Sequence, residues 1–136
     1  MRLSPDHHTA ASIVDRRAFG GDWALDEATI ADVRRATPRH RARRIDGDDG
    51  ALSGYAITGR DQRQGFIQRL AVDPDQQRTG VGIALVLDAL HWLAFWHVSR
   101  VLVNTAVDNE AALALYRRVG FRPLAERLRV FERALP

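Results

Sequence analysis

Two glycines, one residue apart, separate an apolar segment of strand-like composition from a long apolar segment with helical spacing. They are Gly80 and Gly82 of QRTGVG (residues 77–82), which lies between FIQRLAVDPD and IALVLDALHWLAFW. A helix N-terminus carries unpaired N–H groups and a partial positive charge, and glycine lets a bulky anion approach them. The stretch therefore predicts a strand, an anion-binding turn and a helix over residues 80–96.

The same glycine pair is also compatible with a tight turn or with close helix packing. No Lys-Ser/Thr follows it as in a P-loop, and Leu85 occupies the third glycine position of a dinucleotide fingerprint. Taken alone, the pair leaves a pyrophosphate cradle and a packing turn equally open.

The other local patterns predict a single mixed α/β domain over residues 1–136. Helices are expected after Ser4 and after Asp26, because a capping side chain precedes helical apolar spacing at both places. The remaining predicted elements are strands over 39–46, 51–60, 65–74 and 100–108, a helix over 109–120, and one or two strands over 121–135.

Composition excludes several classes of function. The chain has no cysteine, which removes disulfides, thiolate catalysis and cysteine zinc sites. Its five histidines have no metal-ligand spacing, so no metal is expected. The N-terminus lacks the apolar core of a signal peptide, and no apolar run is long enough for a bilayer. We therefore expect a cytoplasmic protein without membrane contact.

All basic side chains are arginines, and the formal net charge is +3. The segment 34–44 contains no acid, and Arg39, Arg41 and Arg43 alternate, so on a strand they share one face. Such a face is either a patch for an acidic partner such as nucleic acid or an edge strand protected by charge. We favour the edge strand and regard nucleic-acid binding as unlikely.

Two segments resemble signatures of the GNAT (GCN5-related N-acetyltransferase) superfamily. RLAVDPDQQRTGVGIALVLDAL is similar to its central strand, Q/R-x-x-G-x-G/A turn and helix, and VNTAVDNEAALALYRRVGF is similar to its second signature. Together they cover roughly residues 65–123. The resemblance implies a mostly antiparallel sheet with splayed strands flanked by helices. It also implies an N-acetyltransferase that uses acetyl-CoA as co-substrate and attacks it directly with a primary amine of a small molecule or peptide.

The resemblance carries over to particular positions. The strand backbone would pair with the pantetheine arm, with the N–H of Val72 stabilising the oxyanion, and the loop N–H groups would hold the pyrophosphate. Gln77 would shape the turn, and Asn109 would lie near the thiol. The implied cofactor-binding residues are Leu70, Ala71, Val72, Gln77, Arg78, Thr79, Gly80, Val81, Gly82 and Asn109.

Tyr116 would be the catalytic general acid that protonates the departing thiolate. A phenol suits this role because its pKa of about 10 keeps it protonated until charge develops on sulfur. Tyr116 also shares a helical face with Ala112 and Leu113, which is typical of a core aromatic. With both signatures present, we favour the catalytic role.

The acceptor side departs from the family pattern because it offers no obvious base. The resemblance places Phe66, Gln68 and Asn104 against the acceptor as substrate-binding residues, and none of them titrates. The base is then a water relayed through Gln68 or Asn104, an acid such as Asp26 or Glu27, or absent. A weakly basic acceptor that is already neutral would need none.

A second departure lies at the start, where only Met-Arg-Leu precedes the first predicted helix, so we expect the family's usual first strand to be absent. That strand is missing, donated by another chain, or part of a longer protein, so we expect a homodimer or a partner domain that supplies it. The alternative function is a non-catalytic GNAT-like module that binds acyl-CoA or a partner protein. The absent base and the absent first strand favour this alternative, and the presence of Asn109 and Tyr116 argues against it.

Overall fold

The computed structural model describes residues 1–37, 39–77, 79–104, 110–123 and 130–135. The described helices are α1 (His8–Phe19), α2 (Glu27–Ala36), α3 (Val81–Phe95) and α4 (Glu110–Arg118). The described strands are β1 (Arg39–Asp46), β2 (Leu52–Asp61), β3 (Gln64–Val72), β4 (Arg100–Asn104), β5 (Arg122–Pro123) and β6 (Val130–Ala134). Short 3₁₀ turns at Pro5–His7 and Pro74–Gln76 precede α1 and α3.

The strands form one mixed sheet in the order β1-β2-β3-β4-β6-β5. Every neighbouring pair is antiparallel except β3 and β4, which run parallel and are joined by the crossover helix α3. The predicted mixed, mostly antiparallel architecture is therefore confirmed.

Of the two predicted helix starts, Asp26 caps α2 directly, whereas Ser4 precedes the 3₁₀ turn Pro5–His7 and α1 follows with His7 as its N-cap. The helix α1 ends at Gly20, whose φ of 78° lies in the region that favours glycine. At the start of α2, the Asp26 carboxylate accepts a hydrogen bond of 2.8 Å from the backbone N–H of Thr29. The C-cap of α2 is Thr37, the residue before a proline, as expected from the restricted backbone at that position.

Two apolar clusters cover the two faces of the sheet. One joins α3 and α4 to the sheet and contains ten buried residues: Ile67, Val86, Ala89, Leu90, Leu93, Val98, Val101, Val103, Tyr116 and Phe121. The other joins α1 and α2 to the opposite face and contains nine: Leu3, Ala11, Val14, Ile30, Ala42, Leu52, Tyr55, Ile57 and Ala71. Burial of these side chains supplies the main driving force for folding.

The parallel strands β3 and β4 separate partway along their length. Their pairing runs from Gln64 opposite Arg100 to Ile67 opposite Val103, whereas β3 continues to Val72. A β-bulge at Gln68 coincides with the end of the pairing, because the register with β2 shifts there. Within the described chain, residues 68–72 thus have no recorded partner on the β4 side, which is the expected splay.

The N-terminal residues pair with the outer edge of β1. The N–H of Leu3 donates to the carbonyl of Ala42 at 2.9 Å, and the N–H of Arg44 donates to the carbonyl of Met1 at 2.7 Å. Arg2 and Arg43 form an isolated antiparallel bridge. No regular strand precedes α1, but the chain's own residues 1–3 occupy the edge that we expected a partner to supply. The homodimer stays a prediction.

The strand β1 ends the sheet order, as the alternating arginines predicted. Arg41 donates from Nε and Nη2 to the Asp88 carboxylate on α3, at 2.9 and 2.8 Å, and Arg43 lies 3.9 Å from it. These hydrogen bonds hold the pKa of Asp88 below its usual range. No helix in the described part of the chain is long and apolar enough to cross a membrane.

Candidate functional site

The N-terminus of α3 lies just beyond the carboxyl end of β3, where β3 has separated from β4. Its N-cap is Gly80, with a left-handed φ of 91°, and no side chain caps the first turn. No acid occurs in that first turn. The first backbone N–H groups of this 15-residue helix therefore receive no hydrogen bond from a capping side chain. Free N–H groups at a helix N-terminus are the groups that bind anions.

The preceding turn is held by its own polar groups. The Thr79 hydroxyl donates to the carbonyl of Gln76 at 2.5 Å, and the N–H of Asp75 donates to the Asp73 carboxylate at 2.9 Å. Arg17 pairs with Asp73 and Asp75 at 3.0 and 2.9 Å. The positive charge of Arg17 therefore offsets part of the negative charge that the two aspartates place beside the N-terminus of α3.

The two glycines of the turn have different surroundings. A Cβ on Gly80 would meet no atom within 4 Å, so the approach to the helix N-terminus is open there. A Cβ on Gly82 would lie 3.0 Å from Leu115 Cδ2 on α4 and 3.6 Å from Val72 Cγ2. Both interpretations of the glycine pair therefore have support. Gly80 permits the turn and leaves room for an anion at the helix N-terminus, while Gly82 permits close packing of α3 on α4.

Gly54 on β2 brings the first turn of α3 close to the sheet. A Cβ at Gly54 would lie 2.9 Å from the carbonyl oxygen of Ala71 and 2.9 Å from Cγ1 of Val81. The sequence analysis did not single out this glycine, although its place inside a strand signals a close approach.

Leu70, Ala71 and Val72 lie on the part of β3 that extends beyond the last β4 pair. Leu70 packs against the α3/α4 cluster, and Ala71 is buried on the opposite face. The structure therefore places these three residues along one strand edge that leads to α3 and that no described residue of β4 pairs with. Arg78 and Asn109 lie outside the described residues, as does the side chain of Asn104.

Tyr116 lies inside the α3/α4 cluster and is only 4% exposed. Its ring packs edge-on against Phe121, with a centroid separation of 5.5 Å. Burial raises the pKa of the Tyr116 phenol, and the charge of Arg69 opposes that rise. Such a phenol holds its proton firmly, which suits both a core aromatic and a general acid, so the catalytic role stays a prediction.

Phe66 and Gln68 share the sheet face that carries α1 and α2. Gln68 Nε2 donates to Thr37 Oγ1 at 2.5 Å, while Gln68 Oε1 is buried without a hydrogen-bond partner. Thr37 itself is buried at the end of α2. Thr37 was not among the residues predicted for the site.

A buried ion pair also escaped the sequence analysis. Asp15 is fully buried and accepts from Arg69 Nε and Nη2 at 2.9 and 2.6 Å, from the Tyr55 hydroxyl at 2.5 Å and from the Leu25 N–H at 2.7 Å. Burial and then the Asp15 charge raise the pKa of the Tyr55 phenol. The sequence contains one sign that Asp15 is buried: it lies four residues after the apolar Ala11 and therefore on the same face of the helix.

Burial alone would lower the pKa of Arg69, but the hydrogen bonds and charge of Asp15 outweigh it and the pKa rises. Arg69 also holds the loop between α1 and α2, since its Nη2 donates to the carbonyl of Trp23 at 2.9 Å. Its guanidinium lies 3.9 Å from the ring centre of Phe19.

The three tryptophans of the chain have different surroundings. The side chain of Trp23 is 69% exposed, so it is not a core residue. Trp92 lies on α3 and Trp96 is the C-cap of that helix, and the Arg60 guanidinium lies 6.0 and 4.1 Å from their ring centres. Over the described residues, no group of three potential ligand side chains could hold a metal ion.

Comparison with known proteins identifies one family. The sequence profile of the Acetyltransferase (GNAT) family matches residues 14–121. Mycothiol acetyltransferase of Clavibacter michiganensis subsp. michiganensis (strain NCPPB 382) is 39% identical over 77 residues. That alignment covers 57% of this chain and only 25% of the relative's length.

Solved structures agree with the fold over the whole chain. The ribosomal-protein-S18-alanine N-acetyltransferase from Escherichia coli superposes with a TM-score of 0.81 at 26% identity, covering 100% of this chain and 91% of that one. An N-acetyltransferase of Thermoplasma acidophilum in complex with coenzyme A has a TM-score of 0.82 at 13% identity, covering 99% and 97%. The latter similarity concerns the fold alone.

Proposed function

The chain belongs to the acetyltransferase (GNAT) family, and we propose that it transfers an acetyl group from acetyl-CoA to a primary amine of a small molecule or peptide. The observation that carries this proposal is the uncapped, acid-free N-terminus of α3 beside the splay between β3 and β4. The Escherichia coli relative of 26% identity that carries an N-acetyltransferase name supports the same reaction type.

The residues at the splay fit acetyl-CoA, which would supply an activated acetyl thioester. The N–H groups of Thr79, Gly80, Val81 and Gly82 would hold its pyrophosphate, because the helix dipole and the open side of Gly80 favour a bulky anion. Gln77 shapes the turn before them. The salt bridges of Arg17 reduce the repulsion that the neighbouring acids would exert on phosphate.

The extended edge of β3 would hold the pantetheine arm by backbone hydrogen bonds from Leu70, Ala71 and Val72. A strand edge with no partner offers N–H and C=O groups at regular spacing, which an extended amide-containing chain can pair with. The N–H of Val72 would also stabilise the negative oxygen that forms during attack.

The reaction joins the amine nitrogen to the acetyl carbon and breaks the carbon–sulfur bond. If the amine starts neutral, the nitrogen loses one proton after attack, the sulfur gains one from the general acid, and the proton released from nitrogen restores that acid through solvent, so the count balances without a dedicated base. Tyr116 would donate the proton to sulfur, because its phenol keeps its proton at neutral pH in this buried site.

An α-amine is the acceptor that we favour. The Escherichia coli neighbour bears a name that specifies alanine as its target. Asn109 would lie near the thiol end, and Phe66, Gln68 and Asn104 would line the acceptor side. The absence of a titratable side chain at Phe66 and Gln68 also favours a second candidate function, a module that binds acyl-CoA without catalysis.

Thiol release from acetyl-CoA, measured with a panel of α-amines, ε-amines and amino sugars, separates the two functions. Acetylation of at least one amine, verified by mass spectrometry, supports the enzyme. Binding of acetyl-CoA without transfer to any acceptor supports the non-catalytic module. A folded protein that does neither contradicts both.

A further inference from the structure

Gln68 occupies a distinctive position in the sheet. It immediately follows Ile67, the last residue of β3 that pairs with β4, and it is the extra residue in the bulge against β2. A bulge re-aims the side chain at its site and often lies next to an active site. The Gln68 side chain therefore leaves the strand where the cofactor-binding edge begins.

Thr37 fixes the orientation of the Gln68 amide. The Gln68 Nε2 donates to the Thr37 hydroxyl oxygen at 2.5 Å, so the amide nitrogen points to the end of α2. Gly59 in turn leaves just enough room for Thr37, because a Cβ at Gly59 would lie 2.8 Å from both Cβ and Oγ1 of Thr37. The hydroxyl is thus held between two strands and a helix end.

The amide oxygen is left without a donor. Gln68 Oε1 is buried and has no hydrogen-bond partner, one of two such side-chain atoms in the described chain, the other being Arg60 Nε. Buried polar atoms are normally paired, because an unpaired one loses its hydrogen bonds to water without replacement. An oriented, unsatisfied acceptor beside a proposed reaction site indicates a donor that arrives with the substrate.

We propose that Thr37 and Gln68 form a positioning pair that presents the Gln68 amide oxygen to an N–H of the acceptor amine, and that this amine binds in its neutral form. The inference rests on the proposed acetyltransferase function and specifies its acceptor. An amide oxygen accepts a hydrogen bond but does not take up a proton at neutral pH, so the pair orients the nucleophile without activating it.

This arrangement selects a chemical class of acceptor. An α-amine has a pKa of about 7.7–8.0, so about a third of it is neutral at pH 7.5, whereas about one in a thousand lysine-type ε-amines is neutral. The site therefore fits the α-amine of a peptide or amino acid, or another weakly basic amine, and not a lysine side chain.

The conclusion that the acceptor is a weakly basic amine also depends on the titratable and charged groups around Gln68, because one of them could act as a base. On the face that carries Gln68 they are Asp15 on α1, His40 on β1, Tyr55 on β2 and Arg69 on β3, whereas Asp26 and Glu27 lie at the opposite end of α2 from Thr37 and Tyr116 lies on the other face of the sheet. The Asp15 carboxylate is occupied by Arg69, Tyr55 and a backbone N–H. His40 lies beside the pair, with its Nδ1 3.2 Å from the carbonyl oxygen of Thr37, and is the group to test as a competing base.

The test compares Thr37→Val, which removes the hydroxyl at nearly constant shape, with Thr37→Ser, which retains it. The acceptors are a lysine-free peptide with a free N-terminus and an Nα-acetylated lysine amide. We expect wild-type kcat/KM at pH 7.5 to favour the peptide by about 100-fold. We expect Thr37→Val to lower kcat by about tenfold with the KM for acetyl-CoA unchanged, and Thr37→Ser to stay within about twofold of wild type.

The pH dependence gives a second, independent readout. The kcat/KM of wild type should rise with pH to a midpoint that tracks the pKa of each acceptor amine. Gln68→Glu, which places a carboxylate at the same point, should raise the relative activity on the lysine amide. This variant also tests the inference if Thr37→Val does not fold.

Several results would overturn the inference. These are an unchanged kcat in folded Thr37→Val, equal losses in Thr37→Val and Thr37→Ser, or no gain on the lysine amide in Gln68→Glu. A midpoint that is the same for both acceptors and disappears in His40→Asn would assign the proton step to His40. If the wild type acetylates amines but the variants behave in these ways, only the inference fails. If it acetylates no amine, the proposed function fails as well.

Discussion

The guanidinium of Arg69 donates from Nε and Nη2 to the two carboxylate oxygens of Asp15, at 2.9 and 2.6 Å. This pair joins α1 to β3 at the residue after Gln68, and Arg69 also holds the carbonyl of Trp23. The elements that enclose the proposed acceptor site are therefore fastened to the strand that would bind the cofactor.

Removing one member of this ion pair should lower the free energy of unfolding far more than replacing both members. Asp15→Ala leaves a buried arginine and the Tyr55 hydroxyl without their acceptor, and we expect a loss of about 3–5 kcal/mol in the free energy of unfolding. The double variant Asp15→Leu/Arg69→Met removes both charges and should recover much of that loss. Urea unfolding of the single and double variants measures both values. A loss below about 1 kcal/mol in Asp15→Ala would show that the pair is not structurally important.

The ion pair between Arg41 and Asp88 should make stability depend on pH. The hydrogen bonds from Arg41 lower the pKa of folded Asp88 below its unfolded value of about 3.9, so the stabilisation is present above that value and is lost as pH falls through the folded pKa. Asp88→Asn should therefore be less stable than wild type at pH 7, with the difference shrinking below about pH 4. A difference that stays constant between pH 7 and pH 2 would contradict this account.

Substitutions at Gly82 separate its role in the packing of α3 on α4 from its proposed role in acetyl-CoA binding. In Gly82→Ala the new methyl would lie 3.0 Å from Leu115 Cδ2, and this crowding opposes the gain of about 1 kcal/mol that alanine brings to a helix interior, so we expect the stability to stay within about 1 kcal/mol of wild type. Leu115→Ala in the same chain should relieve the crowding. Acetyl-CoA affinity that stays low in the double variant would assign Gly82 to the cradle, and affinity that recovers would assign it to packing. A bulky residue, as in Gly82→Leu, should abolish acetyl-CoA binding, and retained affinity there would contradict a cradle at this position.

Tyr116→Phe tests the general acid. We expect turnover to fall by about 100-fold while acetyl-CoA affinity stays nearly unchanged, because the ring that packs on Phe121 remains and only the proton donor is lost. Phe121→Leu serves as a control that alters the same packing without removing a hydroxyl. Turnover equal to wild type in Tyr116→Phe would leave Tyr116 as a core aromatic.

Much of the fold follows from local signals in the sequence. Asp26 and Gly20 fix helix ends through capping and backbone conformation, and the alternation in residues 39–46 gives the charged edge strand. These interactions operate over a few residues, so they are visible in a single sequence.

The parts that the sequence did not reveal depend on contacts between distant residues. Asp15 and Arg69 are 54 positions apart, and Thr37 and Gln68 are 31 apart. Each residue looks ordinary in its own segment, and only the packing of α1 and α2 on β3 brings the partners together. The pairing of residues 1–3 with β1 was missed for a similar reason, since three residues show no periodicity.

Calorimetric titration of acetyl-CoA into the wild type, Gly80→Asn and Gly80→Asp tests the central claim most directly. Both side chains have room at Gly80, and asparagine and aspartate are among the residues that best tolerate its left-handed backbone, so the variants differ mainly by one negative charge at the helix N-terminus. The account predicts micromolar binding by the wild type and an affinity for Gly80→Asp at least about tenfold below that of Gly80→Asn, a difference of about 1.4 kcal/mol. Equal affinities for the two variants, or no binding by the folded wild type, would contradict a pyrophosphate cradle at this helix.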